Sequence, residues 1–219
     1  MRNIALSILA FLVCAGIADA KVVLPPIFSD NMVLQQQNEV KIWGRASGRI
    51  VTCQASWLSE PVSATVREKA FELLLPTPQG SFAAQTVVIQ DSDSEIILNN
   101  VLIGDVWICS GQSNMEMTMR GYSRQPVHNA LQSILESGRY EDRVHIFTIA
   151  RTESDKPKAV ARGSWKPASP ESVTTTSATA WYFAKSLADA VDVPIGIITA
   201  SRSSSNIETW MPAGGTVRL

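Results

Sequence analysis

Three short apolar runs, separated by stretches with helical spacing, constrain the fold of this chain more than any other feature. Asp105–Cys109 (DVWIC), Arg143–Ala150 (RVHIFTIA) and Val193–Ser201 (VPIGIITAS) have the length and apolar content of buried strands. Between the first two, Pro126–Gly138 places Val127, Ala130, Leu131, Ile134 and Leu135 at helical spacing and stops at Gly138. Between the last two, Ser177–Val191 does the same with Ala180, Phe183, Ala184 and Leu187, after a long polar, Pro-containing excursion over residues 151–176. Strand, helix, strand, helix, strand reads as an α/β unit with a parallel sheet.

The preceding eighty residues follow a different pattern. Lys21–Gln36, Glu39–Gly48, Gly48–Leu58, Ala70–Gly80, Phe82–Asp91 and Ser94–Gly104 each read as short β-type segments bounded by Pro, Gly or Asp clusters. In the third of them, Val51, Cys53, Ala55 and Trp57 share one face, and Ile50, Thr52, Gln54 and Ser56 the other. These spacings predict a sandwich-like β-rich module over residues 21–100, followed by the α/β part over 101–219.

The first twenty residues are read as a signal peptide. Arg2 precedes an apolar run, and Ala18-Asp19-Ala20 offers a cleavage site before Lys21. The uncharged stretch is about 16 residues, short of the roughly 20 that a spanning helix needs. The expected location is therefore secreted or periplasmic, with no membrane association beyond export. Loss of Cys14 would leave Cys53 and Cys109, either paired or, for Cys109 within its apolar run, a buried thiol. The 219 residues carry 19 Lys and Arg against 20 Asp and Glu, a net charge of −1, with no basic stripe for nucleic acid. No phosphate-binding glycine loop or Cys/His metal spacing is present, so neither cofactor nor metal is expected. Glu116, Glu141 and Glu208 are scattered, which gives no support to a paired-carboxylate glycosidase.

Two of the three strands of the α/β part end in small polar clusters, Ser110-Gly111-Gln112-Ser113-Asn114 and Ser201–Asn206. Ligands of open α/β sheets bind beyond the carboxyl ends of strands. A serine lifted off a strand end, next to the free amides of a helix start, can attack a carbonyl and have the resulting oxyanion held. Gly111 would allow an unusual backbone angle there. The same residues would also serve to end a strand and cap a helix.

SGQSNM after GDVW resembles the sialate O-acetylesterases, a branch of the SGNH hydrolases. The resemblance extends to LPPIFSDNMVLQQ, VKIWGRA, SATAWYFAKSLADAVDVPIGIITAS and IETWMP, in the family's order over most of residues 21–212. It implies that Ser113 is the nucleophile of a metal-free, cofactor-free esterase. It places Gly111, Gln112, Asn114 and Ser204 as oxyanion or substrate-binding residues. The implied substrate is an O-acetylated sugar or glycan, cleaved through an acetyl-Ser113 intermediate. The chain departs from the family twice. Arg202-Ser203-Ser204-Ser205 stands where the family carries Trp-Gly-Gly, so Ser204 replaces a glycine whose amide serves the oxyanion. The family's later asparagine block and its Asp-x-x-His block, which supplies the base, are not among these 219 residues, which suggests a truncated chain with an incomplete α/β domain. Neither His128 nor His145, the two histidines present, matches the family's base. Little or no turnover is expected of this chain by itself. The alternative is a non-catalytic carbohydrate-binding or scaffold protein using exposed tryptophans among Trp43, Trp57, Trp107, Trp165, Trp181 and Trp210.

Overall fold

Strand-period alternation builds the first half of the molecule. The structure, a computed structural model, describes residues 21–211 except 153, 155, 157 and 159; the proposed signal peptide and residues 212–219 lie outside the described residues. Seven strands follow in order: β1 (Val33–Gln35), β2 (Glu39–Arg45), β3 (Ile50–Ala55), β4 (Val62–Thr65), β5 (Ala70–Pro76), β6 (Ser81–Gln90) and β7 (Glu95–Gly111). On β3, Val51, Cys53 and Ala55 are fully buried, as their alternation predicts. β2 and β5 form an antiparallel pair, and β4, β3, β6 and β7 a second sheet, with β1 parallel to β7. Ile42, Phe71, Leu73 and Leu75 of the pair share one core with Val51, Val87 and Ile89 of the larger sheet. Each such side chain contributes about 1.5–3 kcal/mol through burial. β4 lies in a stretch without a strand pattern; it is a short outer strand with only Val62 and Ala64 turned inward.

The second half is α/β. It contains α1 (Ser113–Glu116), α2 (Ala130–Glu136), β8 (Val144–Thr148), β9 (Trp165–Pro167), α3 (Pro170–Thr174), α4 (Ala178–Ala190) and β10 (Ile195–Ser201). β7, β10 and β8 run parallel in that spatial order, and β9 closes the far side antiparallel to β8. The second core gathers Met119, Val144, Ile146, Val173, Trp181, Ala184, Ile195 and Ile197 between sheet and helices.

Several expectations need correction. The segments Ser94–Gly104 and Asp105–Cys109 are not separate strands, because β7 runs unbroken through both. Its first part pairs with β6, and from Asp105 onward it pairs with β10. Gly104 sits at the changeover; a methyl group there would run into the Pro194 carbonyl, which accepts the Asp105 amide at 2.9 Å. Nor is the Asp105–Cys109 run buried on both faces. Ile108 is 73% exposed, although Val106, Ile198 and Phe147 on the same side of the sheet pack into the first core. On α2, Leu131 and Leu135 point outward, and the buried position is Ser133, whose hydroxyl accepts from Trp181 Nε1 at 2.9 Å. His128 precedes α2 in a turn rather than lying on it. The polar excursion holds a helix, α3, with Pro170 at its first turn and a Ser169–Ser172 capping box. Cys53 and Cys109 are both free and buried, in different cores, and burial pushes the Cys53 thiol up to about 12.

His145 joins the two halves. It is buried on β8, and its Nδ1 lies 2.6 Å from the Asn31 carbonyl. Burial pushes its pKa below the ordinary value, against the Asn31 and Glu141 carbonyls and the charges of Asp142 and Glu141. The unfolded chain then holds the extra proton between the folded pKa and the unfolded value of about 6.5. The contribution to stability is complete above that value and is lost as pH falls. Urea unfolding should show a lower midpoint at pH 5 than at pH 7.5. The drop should shrink in His145→Gln, and an equal drop in the variant would remove His145 as its source.

Candidate active site

β7 and β10 end side by side, which brings the two polar clusters together. Ser201 pairs with Gly111, and the Arg202 amide donates to the Gly111 carbonyl at 3.0 Å. Gly111 has φ +153, a region that L side chains rarely adopt, and the backbone turns there out of the sheet. Two residues later Ser113 opens α1. This helix is a single turn ended by Met117 (φ −57, ψ 119), so it brings local amides rather than a long helix dipole. The Glu116 and Met117 amides take the carbonyls of Gln112 and Ser113, which leaves the amides of Ser113, Asn114 and Met115 without partners inside the helix.

The start of α4 seats this turn. Thr179 Oγ1 donates to the Asn114 carbonyl at 3.0 Å, the Ala178 amide to Met117 at 2.8 Å, and the Met119 amide to Thr176 at 2.9 Å. Ser177 Oγ also donates to the Met115 sulfur at 3.4 Å. Ser113 itself is half-buried, with Gln112 and Asn114 exposed beside it. Its hydroxyl donates to Gln112 Oε1 at 3.2 Å, and an amide oxygen is no proton acceptor for catalysis.

Across from this turn, the loop after β10 carries Ser204 at φ +59. A serine pays about 1–2 kcal/mol for that backbone. The loop is braced from within: Ser205 Oγ donates to the Arg202 carbonyl at 2.7 Å and accepts from Trp210 Nε1 at 2.9 Å. It is also braced from α1, because Glu116 Oε2 accepts the Ser203 amide at 2.8 Å and Oε1 pairs with Arg151. Hydrogen bonds from Ser203, its hydroxyl first, together with the charges of Arg151 and Arg202, hold the Glu116 carboxyl below the usual range despite its desolvation.

A cavity of about 600 Å³ opens between the loops after β8 and β10, with Arg151, Thr152, Ser201, Ser203, Ser204 and Trp210 in its wall. Of the five site residues read from the sequence, only Ser204 lines it; Gly111 ends the neighbouring strand β7, and Gln112, Ser113 and Asn114 lead from it into α1. Neither histidine joins them. His145 is committed to Asn31 on β8, and His128 is exposed ahead of α2, where its carbonyl accepts from Tyr182. Among the described residues no group of three or more His, Cys, Asp or Glu could hold a metal ion. Glu116 and Arg151 were not identified from sequence as members of this site. The only hint of Glu116 was its position one helical turn past Ser113, and Arg151 had none because its approach depends on the path of the loop after β8.

No family model matches the chain. A sialate O-acetylesterase from Rattus norvegicus is 31% identical over 204 residues, covering 84% of this chain and 36% of the relative. The Homo sapiens protein of the same name is 29% identical over 202 residues, covering 83% and 37%. The chain thus spans little more than a third of the length of these relatives. A crystal structure of a carbohydrate acetylesterase from Xanthomonas citri superposes with a TM-score of 0.79 at 26% identity, covering 88% of this chain and 43% of that one. Agreement with these relatives in both sequence and fold shows that the chain belongs to the sialate O-acetylesterase family.

Proposed function

We propose that this chain carries the nucleophile-bearing part of an exported carbohydrate O-acetylesterase, with Ser113 as the acyl acceptor. The observation that carries the reading is the position of Ser113. It stands at the first residue after a Gly111-dependent turn, at the carboxyl end of a parallel strand, beside the second strand end that opens the cavity. Ser113 Oγ attacks the acetyl carbonyl carbon and gives its proton to a base. The carbonyl oxygen becomes an oxyanion, held by the amides of Ser113 and of the Ser204 loop. The C–O bond to the sugar breaks, the sugar oxygen takes the proton, and water then releases acetate from acetyl-Ser113. Each amide donor in such a site is worth about 2.7–4 kcal/mol of transition-state stabilisation. The cavity wall, with Trp210 beside several hydroxyls, suits a sugar. Export rests on the apolar segment of residues 1–20.

The base is the part this reading does not find among the described residues, so an added base is the sensitive test. Acetate release from a per-O-acetylated methyl glycoside should be near background for the 219-residue chain. Imidazole should produce a Ser113-dependent increase that Ser113→Ala lacks. Equal release by wild type and Ser113→Ala in imidazole would remove Ser113 as nucleophile. The exposed Trp210 at the cavity favours a second reading, a carbohydrate-binding protein without catalysis. Glycan binding that survives Ser113→Ala and is lost in Trp210→Ala, with no acetate release in imidazole, would favour it.

A further inference from the structure

Glu116 takes no part in the acyl transfer just described, yet it is the most enclosed carboxylate at this end of the sheet, with its side chain 8% exposed. Both of its oxygens are committed to other segments. Oε2 accepts the Ser203 amide from the loop after β10, and Oε1 pairs with Arg151 from the segment after β8. Glu116 itself closes the helical turn that Ser113 opens. Three separate stretches of chain therefore meet on one carboxylate.

The meeting point is one residue away from backbone strain. Ser204, next to the anchored Ser203, holds φ +59, and such a conformation persists only where its surroundings over-determine it. The Arg202 amide ties the start of the loop to the Gly111 carbonyl of β7, and the bonds from Ser205 to Arg202 and from Trp210 to Ser205 are made within the loop and do not fix it against α1. The Glu116 bond does. We propose that Glu116 is a positioning residue whose carboxylate holds Ser203, and through it the left-handed backbone of Ser204, against the Ser113 turn, with Arg151 as the second arm. The catalytic consequence rests on the reading of Ser113 as nucleophile; the positioning of the loop does not. A charged acceptor is needed because both partners are donors. A glutamine in the same place has one oxygen for two donors and turns its NH₂ toward the other.

Two measurements on the full chain test this. The first is hydrogen exchange at the Ser203, Ser204 and Ser205 amides, with the Ile197 amide on β10 as an internal reference. In Glu116→Gln and Glu116→Ala, loop exchange should accelerate about tenfold or more, the scale of a lost hydrogen bond to a charged group, while Ile197 is unchanged. The Ser203 amide proton resonance should shift on acidification in the wild type, as Glu116 protonates, and not in Glu116→Gln. The second is the rate at which a fluorophosphonate labels Ser113, which should fall about tenfold in both variants. Glu116→Asp should recover part of each effect. Unchanged loop exchange in Glu116→Gln would overturn the proposal. So would faster exchange with an unchanged labelling rate, since the tether would then not position the reacting turn. If Ser113 is not labelled in the wild type, the nucleophile reading fails, and the exchange and resonance measurements still decide whether Glu116 holds the loop. If Glu116→Ala does not fold, Glu116→Gln carries the test.

Discussion

Trp181→Ala is expected to destabilise the protein by about 3–5 kcal/mol, the range for removing a large buried aromatic side chain. Trp181 is fully buried in α4, at the centre of the core that joins the helices to the parallel sheet. Its Nε1 donates to Ser133 Oγ on α2, and the Tyr140 ring meets its edge at a centroid distance of 5.8 Å. Alanine would leave a cavity and, in addition, a buried Ser133 hydroxyl without its donor. Against a typical total stability of about 5–15 kcal/mol this is a large fraction. The consequence reaches the site, because α4 carries Ser177, Ala178 and Thr179, whose bonds seat the Ser113 turn. Urea unfolding measures the loss. Trp210→Ala, at an exposed position, should stay within about 0.5 kcal/mol of wild type. A loss below about 1 kcal/mol for Trp181→Ala would contradict the core described above.

The second large effect is catalytic. In acetate release without added base, the 219-residue chain should fall about 10²–10⁴-fold below the rate of a serine esterase with its base in place, the usual contribution of general base catalysis. The reason is positional. Ser113 Oγ donates to the Gln112 side chain, His145 is locked to the Asn31 carbonyl, and His128 is exposed in a turn before α2. A carboxylate would be the next resort, but Glu116 faces Ser203 and Arg151 with its affinity for protons lowered. A rapid, Ser113-dependent release of acetate by the chain alone would mean that one of these groups does act as base.

Much of this was legible in the sequence, for identifiable reasons. Period-2 alternation fixed the inward face of β3, and the apolar runs located β8 and β10 because strands buried under helices need little else. The polar clusters after two strands marked the site because a parallel sheet delivers its strand ends to one side. Other features were hidden for equally physical reasons. The continuity of β7 was masked by Gly104, which looks like a break but is required by the close approach of the Pro194 carbonyl. The buried face of α2 was legible only in part: Ala130 and Ile134 pack against the second core, but Leu131 and Leu135 face outward and Ser133 lies inside, made acceptable by a hydrogen bond from a tryptophan 48 residues away. α3 was missed although its Ser169-Pro170 start is a helix signal, because the surrounding proline and threonine content resembles a loop. The role of Glu116 depends on two loops whose paths no local pattern fixes.

The most direct measurement is peptide mapping of the chain after reaction with a fluorophosphonate at about pH 9, where hydroxide can stand in for the base. A nucleophile set beside oxyanion donors should capture the phosphorus at Ser113, giving one adduct per chain that disappears in Ser113→Ala and on unfolding in urea. An adduct on Ser110, Ser203 or Ser204 instead, or labelling of Ser113 no faster in the folded chain than in the unfolded one, would contradict the assignment of Ser113 as the residue that accepts the acyl group.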